Sequence, residues 1–328
     1  MKAFVIDQGT FKLKEMEDPV PSKGEVIVSI KTAGLNHRDL FIPDRLSKDH
    51  SPLIIGSDGA GMIETVGEGV QHVKCGDEVI INPSLRWFQQ SDFPPKEFDI
   101  LGMPDNGTFS EKIVLSADQV EAKPKHLSWE EAGVLALSGL TGYRAMFTKG
   151  KLKSGETVFI PGAGSGVATI LILLAKCIGA RVIVTSRSKA KLEKAKKLGA
   201  DVVIKTASDW PAILKNEKID LVIDSVGNAT FRRSLEVLRK GGRMVVFGSS
   251  TGDEVTFDLR TFFYGQYELH GTTMGSREEL QAFLSLVSKY HIHPVVDHTF
   301  PLKDAADAWN YLKDGKQFGK LALTVTSV

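Results

Sequence analysis

The segment Val158-Phe159-Ile160-Pro161-Gly162-Ala163-Gly164-Ser165-Gly166-Val167-Ala168 runs straight into the apolar stretch 169–175, an order that reads as a buried strand, a glycine turn and a helix start. A second hydrophobic stretch, 181–185, follows at the distance a right-handed strand-helix-strand unit requires. Such a turn can receive a diphosphate. Glycine removes side-chain bulk so that backbone N–H groups approach the phosphates, and the helix N-terminus adds partial positive charge. Gly162, Ala163, Gly164, Ser165, Gly166 and Val167 are the expected contacts. The bland alternative, a packing turn with no ligand, is disfavoured by the surrounding strand-helix-strand context.

The end of the second strand refines the ligand. A site for an unphosphorylated adenosine ribose commonly places an acid there to bond the 2′-hydroxyl, whereas this chain has Thr185-Ser186-Arg187-Ser188-Lys189-Ala190-Lys191. A 2′-phosphate would be repelled by a carboxylate and held by Ser186, Arg187 and Lys191 through charge-assisted hydrogen bonds, which predicts NADP(H) over NAD(H). The competing reading leaves Arg187 and the lysines as a solvated helix face. Farther along, Asp224-Ser225-Val226-Gly227 and Phe247-Gly248-Ser249-Ser250 close two more strands at the carboxyl edge, where open parallel sheets bind ligands. Val226, Phe247, Gly248 and Ser249 join the cofactor candidates on that ground.

The bulk numbers fit this picture and exclude others. With 328 residues, 42% hydrophobic and 25% charged, the chain can bury two cores, and a formal charge of +1 recommends neither nucleic acid nor membrane as a partner. Cys75 and Cys177 lie far apart and build neither a disulfide framework nor a cysteine zinc cluster, so a reducing cytoplasm is expected. The N-terminus alternates like a strand and lacks the pattern of a signal peptide. The longest apolar run, around 167–175, is too short to span a bilayer.

The first third is strand-rich, with short runs such as 26–30 and 59–66 between glycine-bearing turns, and predicts a compact β-barrel or sandwich. From about Leu127 the texture alternates helix and strand. Strands are expected at 157–160, 181–185, 202–204, 221–224 and 243–247, and helices at 167–178, 189–198 and 231–238. One more strand follows Leu269, then an amphipathic helix over 277–290 and a tail from 300 that returns to strand and helix and completes the first domain. Residues 83–107, punctuated by proline and glycine, read as a long surface loop with a small hydrophobic anchor.

Taken together, the chain resembles the medium-chain dehydrogenase/reductase superfamily, in the branch of quinone oxidoreductases and zinc-free alcohol dehydrogenase-like proteins. The resemblance covers nearly every residue. Besides the glycine motif it is carried by Ala33-Gly34-Leu35-Asn36-His37-Arg38-Asp39, Gly56-Ser57-Asp58-Gly59-Ala60-Gly61, Gly67 to Gly69, Gly76-Asp77-Glu78-Val79 and Leu140-Thr141-Gly142-Tyr143. It implies an α/β protein: a GroES-like, β-rich catalytic domain made of residues 1–124 and 271–328, and a Rossmann doubly wound parallel sheet over 125–270. A cleft where nicotinamide meets substrate, a threonine at Thr141 near the nicotinamide, and a homodimer through sheet edges near 269–273 are implied likewise.

The departures from the family are as informative. The superfamily's catalytic zinc is held by Cys, His and Cys at positions that correspond here to Asn36, Ser57 and Leu137, none of them a competent ligand. Residues 83–107 take the place of the structural zinc lobe and contain no cysteine. A different ion site built on His37 and Asp58 lacks a third convergent ligand, so no metal is expected. The family's proton-relay positions are Arg38 and Phe41, and Arg38 with Asp39 reads as a structural ion pair.

Without a Lewis acid, the electrophile itself must favour hydride addition, as quinones and α,β-unsaturated carbonyls do. The expectation is hydride transfer from NADPH to a small-molecule electrophile of that kind. Asn36 either donates its amide to the substrate oxygen, fixes the nicotinamide ribose, or merely closes a turn. Tyr143, Tyr264 and water remain open as proton sources. A metal-free alcohol or carbonyl dehydrogenase and a non-catalytic NADPH-binding sensor are the alternatives.

Overall fold

The computed structural model describes residues 1–47 and 50–325. The chain forms two compact units, Met1–Leu140 with Gly275–Val328 and Thr141–Met274. The sequence reading drew its lines at 125 and 270.

The first unit is built on a seven-stranded sheet. Its long central strand Glu25–Leu35 pairs antiparallel with Asp58–Val66, with Lys112–Ser116 and with the C-terminal strand Lys320–Thr324. Burial along Glu25–Leu35 is broken only at Glu25, Ser29 and Lys31 and is continuous from Thr32 to the end, where both faces are covered. Gly34 marks the reason for one cover: a Cβ there would lie 2.7 Å from the carbonyl oxygen of Gly133, the last residue of the helix Trp129–Gly133. Only a side-chain-free residue lets that backbone approach so closely. The core beneath gathers Val26, Val28, Ile30, Ile63, Val79, Ile81, Phe109 and, from the chain's other end, Leu321 and Leu323. Each such side chain contributes roughly 1.5–3 kcal/mol on full burial, which is what holds the distant C-terminal strand in the sheet.

Residues 83–107 differ from the expected loop. Two short strands, Ser84–Leu85 and Asp99–Ile100, pair antiparallel within them. The anchor is Trp87, 1% exposed, with its ring against Phe98 and its indole N–H donated to Ser91 Oγ at 3.0 Å. The carbonyls of Trp87 and Phe88 accept the amides of Arg277 and Glu278, so the segment satisfies the first orphan donors of the helix Arg277–Tyr290.

The second unit is a six-stranded sheet, parallel throughout, in the spatial order Val202–Lys205, Arg181–Ser186, Thr157–Ile160, Ile219–Asp224, Leu238–Val246, Glu268–Gly271. Thr157–Ile160 and Ile219–Asp224 are buried at every residue, the pattern of strands covered on both faces. Helices Gly166–Cys177, Lys189–Leu198 and Asn228–Val237 connect them. Phe159 meets Trp210 edge-on at 5.1 Å, and the Arg233 guanidinium lies 3.7 Å from the Trp210 ring centre while donating to the carbonyls of Thr206 and Ser208.

The expected helix 231–238 starts earlier, at Asn228, and ends at Val237, because Leu238 opens the next strand. That strand was expected only from 243. Its register jumps from Ile219 opposite Leu238 to Leu221 opposite Arg243, and the extra residues 239–242 form a bulge in which Arg239 reaches Asp220 at 2.5 Å and Gly241 takes φ +68°. The glycine pair Gly241-Gly242 thus lies in a bulge inside a strand. Among the described residues, no helix is long and apolar enough to cross a membrane.

Candidate active site

The glycine turn sits at the carboxyl end of Thr157–Ile160 and is clamped from the neighbouring strand. Gly162 N–H donates to Thr185 Oγ1 at 3.3 Å and Ala163 N–H to the Thr185 carbonyl at 2.7 Å. Gly162 and Gly164 take φ +83° and +119°, where a side chain is strained, and Cβ atoms there would lie 3.0 Å from Val226 Cγ2 and 2.8 Å from Lys191 Cδ. Ser165 caps the following helix by accepting the Ala168 amide at 3.1 Å, and Gly166 and Val167 form its first turn. The turn is thus a side-chain-free cradle in front of a helix N-terminus, which fits a dinucleotide pyrophosphate.

The other cofactor candidates line the same edge. Ser186 is the last residue of its strand and its Oγ accepts the Ser188 amide at 3.2 Å; Arg187 is exposed, and the half-buried Lys191 lays its stem over Gly164. Val226 faces Gly162, and a Cβ at Gly248 would lie 3.1 Å from the Ser225 carbonyl. Ser249 Oγ donates to Asp253, and the half-buried Phe247 follows the strand Leu238–Val246, its amide bonded to the Asp224 carbonyl at 3.2 Å.

Two residues named in the sequence only as members of their strand-end segments organise this edge. Thr185 is fully buried and holds both Gly162 and Ala163. Asp224, also fully buried, accepts the Val226 and Gly227 amides at 2.7 and 3.0 Å on one oxygen, and the Thr230 and Ser234 hydroxyls at 2.7 and 3.2 Å on the other. Through the bond to its amide, Asp224 fixes where Val226 stands. An acid ending an otherwise apolar strand was the available signal.

Thr141 and Tyr143 lie in or at the end of the helix Ala136–Tyr143. Thr141 is 7% exposed and donates its hydroxyl to Met274 Sδ at 3.7 Å; Tyr143 is half-buried with its ring 5.2 Å from Phe147. Tyr264, the other tyrosine considered, is 66% exposed.

A second polar cluster lies in the first unit, around Asn36. Asp58 is its hub. One carboxylate oxygen accepts the Leu137 amide at 2.6 Å; the other accepts Asn36 Nδ2 at 3.0 Å and the Lys320 ammonium at 2.9 Å. Lys320 also donates to Asn36 Oδ1. Asn36 Nδ2 reaches the Gly34 carbonyl at 3.5 Å as well, so the amide group is committed within the protein on both its atoms. Lys320 and Asp58 are 4% and 0% exposed, a buried ion pair carrying its own hydrogen bonds. Ser57 Oγ donates to the Leu101 carbonyl at 2.6 Å and accepts from Arg38 Nη1 at 2.7 Å.

The expected Arg38–Asp39 ion pair is loose, at 4.0 Å. Asp39 instead accepts the Asn36 amide at 2.8 Å as the reciprocal half of a capping box for the turn His37–Phe41. Burial pushes the Asp39 carboxyl up to about 6, against the pull of Arg38 and the Asn36 amide. The exposed His37 ring packs against Phe41, apart from the bonds that engage Asp58.

These groups do not fit a zinc ion. The positions corresponding to the family's ligands hold an amide, a hydroxyl and an aliphatic chain, each tied into internal hydrogen bonds through side chain or backbone, with a lysine ammonium already between Asn36 and Asp58. Among the described residues no group of His, Cys, Asp and Glu is gathered that could hold a metal. Lys320 was the unforeseen member: a lysine at a buried position of the apolar strand Lys320–Thr324 was its signal.

Residues 22–125 match the alcohol dehydrogenase GroES-like domain family, and residues 166–289 match the zinc-binding dehydrogenase family. The zinc-type alcohol dehydrogenase-like protein C1773.06c of Schizosaccharomyces pombe is 34% identical over 97% of this chain and 96% of its own. The chain belongs to the zinc-type alcohol dehydrogenase-like branch of the medium-chain dehydrogenase/reductase superfamily. Within that superfamily it is also similar to the acryloyl-coenzyme A reductase of Metallosphaera sedula, 31% identical over 99% of this chain and 100% of the relative. A crystal structure of an NAD-dependent alcohol dehydrogenase superposes with a TM-score of 0.93 at 34% identity, covering 99% of this chain and 100% of that one. The fold is the GroES-like plus Rossmann-type architecture of these oxidoreductases.

Proposed function

We propose that this member of the superfamily is a metal-independent oxidoreductase that passes hydride from NADPH to an α,β-unsaturated carbonyl compound or a quinone. The observation that carries the reading is the cluster around Asp58. Where a Lewis acid would have to sit, the chain places Asn36, Ser57 and Leu137 bound to its own carboxylate, carbonyl and ammonium groups. Reduction of an unactivated carbonyl loses several kcal/mol of transition-state stabilisation without a metal, whereas a conjugated acceptor spreads the incoming charge over its π system. The similarity to an acryloyl-coenzyme A reductase, by name a reductase of a conjugated acyl group, supports the same class of acceptor.

When bound, the reduced nicotinamide supplies the hydride. The residues of the chain do the rest: Gly162, Gly164 and the helix N-terminus at Gly166 receive the pyrophosphate, and Thr185 and Asp224 hold the loops that shape the cradle. Ser186, Arg187 and Lys191 offer a hydroxyl and two cations beside the ribose 2′-position with no acid among 185–191, which favours a 2′-phosphate. A second reading, an NAD-dependent dehydrogenase of simple alcohols, is favoured by the similarity to the NAD-dependent alcohol dehydrogenase.

Cofactor oxidation measured with enones, quinones, aldehydes and secondary alcohols, each with and without chelator, separates the two. Turnover of enones or quinones unaffected by the chelator is expected. Activity confined to simple alcohols and aldehydes, or abolished by chelation, overturns the proposal.

A further inference from the structure

Arg38 is held in an unusual way for a half-buried cation. Its guanidinium is anchored through one nitrogen only: Nη1 donates to Ser57 Oγ at 2.7 Å and to the Leu101 carbonyl at 3.1 Å. Ser57 Oγ itself donates to the same carbonyl at 2.6 Å, so the three groups form a closed triangle that fixes the guanidinium plane. The anchors are neutral. The only carboxylate paired with it among the described residues is Asp39, whose Oδ1 lies 4.0 Å from Nη1, beyond hydrogen-bond reach, while its Oδ2 accepts the Asn36 amide. Nε and Nη2 donate to no group of the described residues, while the side chain keeps 18% of its surface exposed. Lys320, by contrast, is 4% exposed and committed to Asp58 and Asn36. Arg38 is therefore the cation of this cluster with directed donors still to offer, and a planar fork of N–H groups matches an oxygen anion.

We propose that Arg38 binds the substrate's carbonyl oxygen and takes up the negative charge that develops there, so that a fixed guanidinium acts where relatives of the zinc type use a metal. This rests on the conjugated-acceptor reading above. In the step, the acceptor gains a C–H bond at its β-carbon with the two electrons of the hydride, and the dihydronicotinamide is oxidised. The alkene pair moves to the bond next to the carbonyl, and the carbonyl pair moves to oxygen. The resulting enolate oxygen lies on Nε and Nη2 of Arg38 until a proton from water completes the product. For a quinone the same charge appears as a hydroquinone monoanion. The donors are in place before the charge forms, which is the condition under which such groups accelerate a reaction most.

The test uses the full-length protein with Arg38→Gln, Arg38→Lys and Arg38→Ala. Removing an oxyanion donor costs about 100- to 1,000-fold in turnover, so R38Q is expected to lose kcat by about that factor while NADPH binding, followed by its fluorescence, is unchanged. R38K should fall between, and R38A should recover turnover when guanidinium chloride is added at millimolar concentration. Binding of 4-nitrophenolate, an oxygen anion read by its absorbance, should weaken at least tenfold in R38Q, and this arm needs no turnover. Phenolate binding that depends on Arg38 in a protein that reduces no enone or quinone would uphold the site and sink the acceptor reading. Enone or quinone turnover and phenolate binding that are both indifferent to R38Q and R38K would overturn the role of Arg38 and leave the reading intact.

Discussion

Asp58 joins three separate segments through one carboxylate: the end of the strand Glu25–Leu35 at Asn36, the helix residue Leu137, and the C-terminal strand at Lys320. Replacing Lys320 by Met leaves that carboxylate buried without its cation, a change that costs about 3–5 kcal/mol. Chemical denaturation should show a loss of that size for K320M, and the double variant K320M/D58N should recover much of it, because the neutral amide still accepts the Leu137 amide. Asp39 carries a pH dependence. Its carboxyl is raised from 3.8 to about 6 by burial, so the folded state prefers the protonated form. The stability this gives is fully present below pH 3.8 and is lost as pH rises through about 6. Asp39→Asn keeps an acceptor for the Asn36 amide and cannot ionise, so its stability relative to the parent should grow between pH 4 and 7 by on the order of 1–3 kcal/mol. A flat difference across that range would contradict the burial argument. At this scale the sequence was only partly legible. It pointed to Asn36, Ser57 and Leu137 but not to Lys320, whose partners Asp58 and Asn36 lie 262 and 284 positions earlier in the chain, and it read Arg38 and Asp39 as an ion pair without the hydrogen bonds each makes elsewhere, the pair itself being present at 4.0 Å.

The glycine turn and the strand ends around it belong to the scale of elements, and there the sequence was read more fully. Continuous apolar strands and a capped helix after Gly162-Ala163-Gly164-Ser165 leave one arrangement, and the strands 157–160 and 181–186 form it. The clamps were not visible beforehand. Thr185 and Asp224 act through hydrogen bonds to backbone amides of other segments, and no local pattern encodes such a pairing. The bulge at 239–242 escaped for a related reason, since Gly241-Gly242 signals a break without saying whether the chain turns away or resumes its strand. The cofactor edge yields a direct prediction. Arg187 is exposed and follows Ser186 at the strand end, so Arg187→Ala should weaken NADPH about tenfold and leave NADH nearly unchanged, as measured by equilibrium binding of each. Equal losses for the two cofactors would refute the 2′-phosphate assignment.

At the scale of the whole molecule, one boundary of the parallel sheet is left open. Glu268–Gly271 is an edge strand, and the exposed apolar side chains Leu259, Phe263, Tyr264 and Leu269 belong to it and to the helix before it. An unprotected edge with apolar neighbours invites pairing with another copy, which is the homodimer the family resemblance implies. If this edge pairs two copies, Leu269→Lys should shift the protein toward monomer in sedimentation velocity with its fold intact, and an unchanged sedimentation coefficient would contradict pairing through this edge. The function proposed above has the chain pass hydride to a conjugated acceptor with its own charged groups in place of a metal. The measurement that meets this claim head-on is label transfer from NADPH deuterated at the transferable C4 position to an enone, catalysed by protein shown by elemental analysis to be free of zinc. Deuterium at the β-carbon of the product, with turnover unchanged when zinc is added, is the predicted result; no label at that carbon, or label only after zinc is restored, would contradict the account.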